Sequence, residues 1–433
     1  MDGFVLDEGN TAWILVCAAL VLMMTPALAL FYGGMVRSKS VLNMMMMSFS
    51  AIGVVGLVYA LWGYSMSYGP DVAGVIGNPF TLFGIEGVAD DDPSNLLAGN
   101  GVPGYAWIAF QATFAIITVA LLSGAIADRA RFRGWLVLTV AWSTVVYFPL
   151  AHMVWGGGLL GADGPIAAAL STPVDFAGGS VVEIAAGVGG LVLAVVLGKR
   201  RGFGSEPMRP HSMPFVMLGA GLLWFGWFGF NAGSAGAANG QAATAWMTTC
   251  LAACAGLVAW IATERVRDGM STSFGAASGA VVGLVAATPS SGYVSPLGAI
   301  AIGAVAGLAG ALAVGLKFRL GYDDSLDLVA VHLVGGLVGT VLIGVFATGD
   351  GLPAGARAGL LYWGGVTQLL SQTLLALAAL VFAATATLVI ALVIRRVVGF
   401  RAPLEHEVGG LDLAQHGESA YEGIASGRLV AGA

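Results

Sequence analysis

Long runs of apolar residues, separated by short polar segments, divide this chain from one end to the other. Most runs hold about 20 residues, the length that an α-helix needs to cross the ~30 Å hydrocarbon core of a bilayer. The pattern predicts eleven transmembrane helices, at residues 11–33, 41–67, 104–126, 134–155, 178–198, 213–232, 243–263, 273–288, 297–316, 326–347 and 366–396. We therefore expect an all-α membrane domain over residues 1–398 and a C-terminal tail over residues 399–433.

Composition and charge add an orientation to this pattern. Of the 433 residues, 58% are apolar and 10% are charged, which leaves no soluble domain of useful size. All of the 18 lysines and arginines except Arg357 lie in loops that follow odd-numbered spans, or at the end of span eleven and beyond. Because basic residues accumulate in cytoplasmic loops, we expect a multi-pass protein of the cytoplasmic membrane, with its N-terminus outside and its C-terminus inside.

An eight-residue step from an aspartate to a second ionisable group occurs twice. Asp175 precedes Glu183, and 149 positions later Asp324 precedes His332. The first copy opens span five and the second opens span ten, and these spans cross the bilayer in opposite directions. The step therefore predicts a 5+5 inverted repeat around a central pore, with spans one to five related to spans six to ten. Span eleven is an extra C-terminal helix.

Glu183 and His332 are the leading candidates for a functional site. If their helices enter the bilayer from opposite faces, the two side chains come within reach of each other. Ionisable groups at that depth are costly and usually functional, although backbone groups or water can also satisfy such a pair that only holds helices together. Asp175 and Asp324 are expected to be N-caps, and Asp175 is also placed to orient backbone groups toward a cation.

The aromatic candidates each have two interpretations. Phe110 and Phe114 lie four residues apart in span three, a spacing that suits a packed core or a gate. Trp155 ends span four, where it is either an anchor at the membrane interface or a cation–π partner. The segment that reaches Phe230 and Ser234 is rich in aromatic and small residues, as expected for an interfacial belt or a pore mouth.

The sequence contains no metal-ligand spacing, nucleotide-binding loop or catalytic triad. We therefore expect no enzymatic activity, no catalytic residue, no metal, no cofactor and no nucleic-acid partner. Apart from Arg395 and Arg396 at the end of span eleven, arginine and lysine are absent from the apolar runs, which disfavours a pathway for anions.

Several segments resemble the ammonium transporter family (Amt/Mep/Rh), with eleven spans and an outside N-terminus as in its Amt branch. The resemblance extends over essentially the whole chain and is carried by Phe31–Arg37, Ala127–Phe132, His152–Trp155, Asp175–Gly179, Trp227–Ser234 and Gly410–Tyr421. It implies a homotrimer with one narrow pore per subunit, transport of ammonium or methylammonium, and a regulatory tail. It also implies a PII-type signal protein at the cytoplasmic face.

The resemblance also assigns roles to the aromatic candidates. Trp155, Ser234 and Phe110 match the family's outer site for recruiting ammonium. Phe114 and Phe230 match the stacked phenyl gate beneath that site.

The remaining site residues match the family with one departure. Asp175 matches an aspartate needed for transport, and His332 matches the second of two pore histidines. Glu183 stands where most members have the first histidine. The resemblance thus implies that NH4⁺ loses a proton at the mouth, that NH3 passes, and that Glu183 and His332 form a proton relay. The alternative function is an ammonium sensor that signals through its tail.

Overall fold

The structure is a computed structural model that describes residues 5–88 and 100–421, and nearly all of its regular secondary structure is helical. Within these residues, ten helices are long and apolar enough to cross a membrane, and the helix Ser273–Ala287 is apolar but shorter. In chain order, α1 to α11 are Glu8–Met35, Ser38–Tyr68, Gly104–Ile126, Phe132–Trp155, Gly179–Leu197, Met213–Gly233, Gly240–Asp268, Ser273–Ala287, Pro296–Leu320, Val329–Phe346 and Thr367–Val397. The prediction of an eleven-helix membrane protein is confirmed.

The connections between these helices differ in length, and their described parts are mostly irregular. The loop after α2 contains a small antiparallel pair, β1 (Asp71–Val72) and β2 (Ile76–Gly77). A five-residue helix, Pro165–Ala169, lies between α4 and α5, and a 3₁₀ turn, Leu360–Tyr362, precedes α11. Because successive helices alternate in direction, the starts of α1, α3 and α5 share one side of the molecule, called the N side. The opposite side carries the tail and is called the tail side.

The helices that open the two halves pack closely against each other. A Cβ atom added to Gly219 of α6 would lie 2.4 Å from the backbone nitrogen of Phe31 in α1. A Cβ added to Gly34 of α1 would lie 2.8 Å from the backbone nitrogen of Val216 in α6. Small residues allow such an approach where apolar surface alone supplies little driving force. The reciprocal contact is the arrangement expected of two related halves.

Helices α5 and α10 repeat this reciprocity around the ionisable pair. A Cβ added to Gly187 would lie 2.4 Å from the backbone nitrogen of Leu333, and one added to Gly336 would lie 2.8 Å from the Cβ of Glu183. Each helix also contains a π-helical segment, Gly179–Ile184 in α5 and Val329–Leu333 in α10. Glu183 and His332 lie within these segments, where a π-helical turn often marks a functional position.

The described part of the tail is folded against the membrane domain. It forms α12 (Leu404–Gly409) and α13 (Leu411–His416). The buried Glu407 accepts a hydrogen bond from the backbone N–H of Arg201 at 2.6 Å. The buried Asp412 accepts hydrogen bonds from the backbone N–H groups of Leu42 and Asn43 near the start of α2. The tail thereby contacts the tail-side ends of its own chain; residues 422–433 lie outside the described part.

Candidate substrate pathway

A cavity of about 340 Å³ opens among the N-side ends of the helices. Its lining is aromatic and polar, and in this region Asp175 is its one carboxylate. The lining residues are Tyr68, Trp107, Gln111, Phe114, Trp155, Asp175, Phe176, Ser234, Gln241 and Tyr293. We call this space the N-side cavity. Electron-rich ring faces and hydroxyl groups suit a small cation that has lost part of its water.

Two of the sequence candidates for recruitment, Trp155 and Ser234, line this cavity, and their polar atoms are fixed by hydrogen bonds. The indole Nε1–H of Trp155 donates to the backbone carbonyl of Asp175 at 2.9 Å. The hydroxyl of Ser234 donates to the carbonyl of Phe230 at 2.8 Å, which leaves the hydroxyl oxygen available as an acceptor. The ring of Trp155 and the oxygen of Ser234 are therefore held in place before any ligand arrives.

Phe110 lies beneath the cavity rather than in its lining. Its side chain is fully buried, with its ring centroid 5.6 Å from that of Trp107 and 4.8 Å from that of Phe114. The half-buried Trp107 lines the cavity on this face of α3 instead. Sequence reasoning did not single out Trp107 or Gln111, although a glutamine within an apolar helix was a usable signal.

Asp175 caps the start of α5 with both oxygens of its carboxylate. Its carboxylate accepts hydrogen bonds from the backbone N–H groups of Gly178, Gly179 and Ser180, at 2.8, 2.6 and 2.8 Å, and from the Ser180 hydroxyl. Gly178 has a left-handed backbone with φ of 116°, which the turn between aspartate and helix requires. The negative charge therefore faces the N-terminal amides of α5, and the carboxylate organises the cavity wall through the backbone.

A stacked pair of phenyl rings closes the floor of the N-side cavity. The ring centroids of Phe114 and Phe230 lie 4.0 Å apart with an interplanar angle of 28°. Both side chains are buried. Phe114 lines the N-side cavity, whereas Phe230 lines the space below it. The pair therefore separates the two spaces.

The space below the rings is narrow and mainly apolar. Its volume is about 10 Å³, close to that of a single water-sized probe. Its lining consists of Met24, Leu28, Phe31, Ile117, Leu121, Val182, Glu183, Leu223, Trp227, Phe230, Val281 and His332. The indole N–H of Trp227 already donates to Thr288 Oγ1 at 2.9 Å. Glu183 and His332 are thus the ionisable groups of this passage, and we call the space the central passage.

Glu183 and His332 are in direct contact. His332 Nδ1 lies 2.6 Å from Glu183 Oε2, and the two side chains are almost completely buried. A nitrogen and a carboxylate oxygen at this distance are joined by a proton in a charge-assisted hydrogen bond. Without a proton between them, the lone pairs of the two atoms would repel each other strongly. The contact expected from the inverted repeat is therefore present, and it can hold and exchange a proton.

Comparison with known proteins agrees with this geometry. The model of the Ammonium Transporter Family matches residues 12–421. This chain belongs to the ammonium transporter family. It is 52% identical to an ammonium transporter of Mycobacterium tuberculosis strain H37Rv, over 98% of this chain and 92% of the relative. It is 47% identical to an ammonium transporter of Aquifex aeolicus, over 96% of this chain and 94% of the relative.

Solved structures extend the family likeness to the fold. The crystal structure of Saccharomyces cerevisiae Mep2 matches with a TM-score of 0.83 and 34% identity, over 92% of this chain and 88% of that one. A protein described as a Sensor Amt Protein matches with a TM-score of 0.84 and 27% identity, over 94% of this chain and 98% of that one. The family fold therefore includes a protein described as a sensor.

The tail side of this family member has a larger and more charged cavity. Its volume is about 680 Å³, and its lining includes Arg200, Glu264, Lys317 and Asp327. Lys317 Nζ lies 2.6 Å from the Asp327 carboxylate and 3.2 Å from the carbonyl of Asp324. Charged groups thus concentrate on one side of the central passage. In residues 5–88 and 100–421, no group of three His, Cys, Asp or Glu side chains is arranged to hold a metal ion.

Asp324 occupies the position in α10 that Asp175 occupies in α5. Its carboxylate accepts a hydrogen bond from the backbone N–H of Val329 at 2.7 Å. Burial raises the pKa of Asp324 to about 6, and the nearby Asp327 adds to the rise. Asp324 therefore caps its helix, as the sequence predicts, but in a setting that favours the protonated acid.

Proposed function

We propose that this protein transports ammonium across the cytoplasmic membrane, recruiting NH4⁺ on the N side and passing NH3 through the central passage. One observation carries the proposal. The stacked rings of Phe114 and Phe230 divide an aromatic, hydroxyl-bearing cavity from an apolar passage whose ionisable groups are Glu183 and His332. The family membership and the names of the relatives support the choice of substrate.

Recruitment rests on the geometry of the N-side cavity. The ring of Trp155 offers a cation–π surface, and the Ser234 oxygen accepts a hydrogen bond from the ion. Phe110 contributes from below, by supporting Trp107 and Phe114. Asp175 contributes through the backbone, because Trp155 is anchored to its carbonyl while its carboxylate holds the start of α5.

To cross the central passage, the substrate must either lose its charge or be stabilised by a group that compensates that charge. A bare cation in an apolar space of this size is strongly disfavoured, so the proton leaves NH4⁺ near the phenyl rings and neutral NH3 continues. The released proton passes to the Glu183–His332 pair, whose hydrogen bond joins an acid and a base inside the passage, and this proton relay returns it to NH3 on the tail side. Their titration belongs to the pair rather than to either residue.

The topology and the partners follow the same proposal. The N side faces outward and the tail side faces the cytoplasm, as the distribution of arginine and lysine indicates. The protein assembles as a homotrimer with one pore per subunit. A PII-type signal protein binds the cytoplasmic face, and the tail over residues 399–433 acts as a regulatory segment. The buried contacts of Glu407 and Asp412 support a link between the tail and the helix ends.

A sensor role is the second candidate. It is favoured by the likeness to the Sensor Amt Protein and by the docked tail, which contacts the loop after α5 through Arg201. In that role the same pathway binds ammonium, and the position of the tail reports its occupancy.

Uptake of [14C]methylammonium in cells that lack their own ammonium transporters tests the proposal. Cells expressing the chain should accumulate the label, and excess ammonium should compete. Trp155→Leu should slow uptake about tenfold at low substrate, since the loss of a desolvated cation–π contact costs roughly 1–2 kcal/mol. Arg319→Gln, an exposed residue outside the pathway, is the matched control. Correctly inserted protein without uptake would contradict transport and favour the sensor role.

A further inference from the structure

Helix α11, which stands outside the 5+5 repeat, carries two glutamines near its N-side end. Gln368 and Gln372 lie one turn apart on one face of the helix, and both side chains are completely buried. Both bind residues 171–174, a segment without regular secondary structure that leads directly into Asp175. The transport mechanism described above uses neither glutamine.

The amide of Gln372 uses its whole capacity for hydrogen bonds. Its Oε1 accepts from the backbone N–H of Val174 at 2.7 Å, and its Nε2 donates to the Val174 carbonyl at 2.8 Å. The same Nε2 donates to the carbonyl of Thr340 in α10 at 3.2 Å, and Oε1 also accepts from Gln368 Nε2 at 3.2 Å. A primary amide has two N–H donors and two acceptor lone pairs, so all four are occupied. Gln372 therefore holds Val174 in one position relative to α10 and α11.

This contact reaches the recruitment site through a single peptide bond. Val174 precedes Asp175, whose carbonyl accepts the indole N–H of Trp155 at 2.9 Å and whose carboxylate caps α5. Gln368 holds the chain further back, by donating to the carbonyl of Thr172 at 3.0 Å. A displacement of Val174 would move the Asp175 carbonyl, and the ring of Trp155 would move with it.

The second half of the molecule holds the equivalent backbone position with a charged group. The 149-residue offset of the repeat relates Val174 to Asp323. The carbonyl of Asp323 accepts from the guanidinium of Arg129 at 2.6 Å. A buried guanidinium beside the N-side cavity would repel an arriving cation, because charges in such a setting are poorly screened. Gln372 holds the backbone with a neutral group instead.

We infer that Gln372 is a positioning residue for cation recruitment. It fixes Val174, and thereby the Asp175 carbonyl that anchors Trp155, without adding charge beside the N-side cavity. The inference rests on the proposed function, because it takes the ligand of this cavity to be the transported cation. It also gives α11 a part in recruitment, although side chains of α11 are not among those that line the cavity.

Uptake of [14C]methylammonium over a range of concentrations tests this inference. Gln372→Met removes the amide and keeps an unbranched side chain of similar length. The concentration for half-maximal uptake should rise about five- to tenfold, because a misplaced Trp155 loses part of its cation–π contact. The maximal rate should stay within about twofold, because the central passage is unaltered. Gln368→Met should have a smaller effect of the same kind, since its contact with Thr172 lies farther from Asp175.

Thr387→Val is the matched control for stability. The Thr387 hydroxyl accepts from Trp142 Nε1 at 2.8 Å, so this variant also removes a buried hydrogen bond of α11, but outside the cavity lining. Both Gln372→Met and Thr387→Val should lower the melting temperature in detergent. The half-maximal concentration should change in Gln372→Met alone.

Three results would overturn the inference. An equal rise of the half-maximal concentration in Gln372→Met and Thr387→Val would show that general loosening of α11 explains the effect. A lower melting temperature of Gln372→Met with an unchanged half-maximal concentration would make Gln372 merely structural. If Gln372→Met does not reach the membrane, an unchanged half-maximal concentration in Gln368→Met contradicts the inference. Absence of uptake by the unaltered protein would instead contradict the proposed function itself, and the inference with it.

Discussion

The helices that carry Glu183 and His332 begin in the same way but in different electrostatic surroundings. At the start of α5, the Asp175 carboxylate accepts hydrogen bonds from four backbone amides and a hydroxyl. At the start of α10, Asp324 accepts from the backbone of Val329, and its Oδ1 is buried without a partner in the described residues. One aspartate is fully satisfied, and the other is not.

This difference indicates that the inverted repeat preserves backbone geometry while each half adapts its charges to its own side. The α5 cap lies beside an aromatic cavity whose single carboxylate is neutralised by backbone dipoles. The α10 cap lies beside the charged side chains of Lys317 and Asp327 and is subject to their electrostatic field. Removing each cap should therefore have unequal effects.

Loss of the α5 cap should have the largest effect. Asp175→Ala leaves several backbone N–H groups buried without acceptors, and each such group costs about 1–3 kcal/mol. We expect destabilisation of roughly 3 kcal/mol or more and a loss of methylammonium uptake. Thermal denaturation in detergent, combined with uptake by intact cells, measures both effects. Asp324→Ala is the comparison, and an equal loss of stability in the two variants would contradict the unequal caps.

Replacement of the acid in the central passage should have the next largest effect. Glu183→Gln nearly preserves shape but removes the titrating partner of His332, so the pH dependence of transport should change. Glu183→His should remain functional, because it provides an imidazole pair in the same place. Currents from reconstituted protein on a solid-supported membrane, recorded across a range of pH, provide the profile. If Glu183→Gln has the profile of the unaltered protein, the pair is structural and the relay is wrong.

The smallest effect concerns Asp324 itself. Its pKa in the folded protein is about 6, above the value of about 3.9 for an unfolded chain, so the folded state binds this proton more tightly. The associated stability is fully present below about pH 4 and is lost as pH rises through about 6. Asp324→Asn cannot ionise and should avoid this loss, which is about 3 kcal/mol in full and roughly 1.4 kcal/mol between about pH 5 and about pH 7.5. The melting temperature of Asp324→Asn, relative to that of the unaltered protein, should therefore be higher at about pH 7.5 than at about pH 5.

The control for this prediction is Asp175→Asn. Its backbone donors surround a carboxylate, so the amide should be less stable than the native residue at both pH values. An advantage of Asp324→Asn that does not change with pH would contradict the assignment of the pKa to Asp324.

Periodicity and charge allowed the helices to be predicted, because a bilayer permits few alternatives to apolar helices of about 20 residues. The contact between Glu183 and His332 was also predictable, since the repeat relates the two positions by a fixed offset. The position of Phe110 beneath Trp107 was not. Spacing on one helix does not reveal which ring the neighbouring helices cover.

Residues in loops and at helix starts were equally hard to predict. Tyr293 reaches the N-side cavity from the connection between α8 and α9, and Gln241 reaches it from the start of α7. Their positions depend on how separate helix ends converge, which no local pattern records. The π-helical segments that contain Glu183 and His332 were not predicted from the sequence either.

The contact between Gly336 and Glu183 separates the architecture of the pair from its chemistry. Gly336 provides room for the Cβ of residue 183, an atom that every amino acid except glycine possesses. The distance between the two helices at this contact therefore does not depend on the part of the side chain beyond the Cβ atom. An acid can be exchanged for an imidazole at this position without moving the backbone. The same scaffold can thus be retuned to different proton affinities by single substitutions.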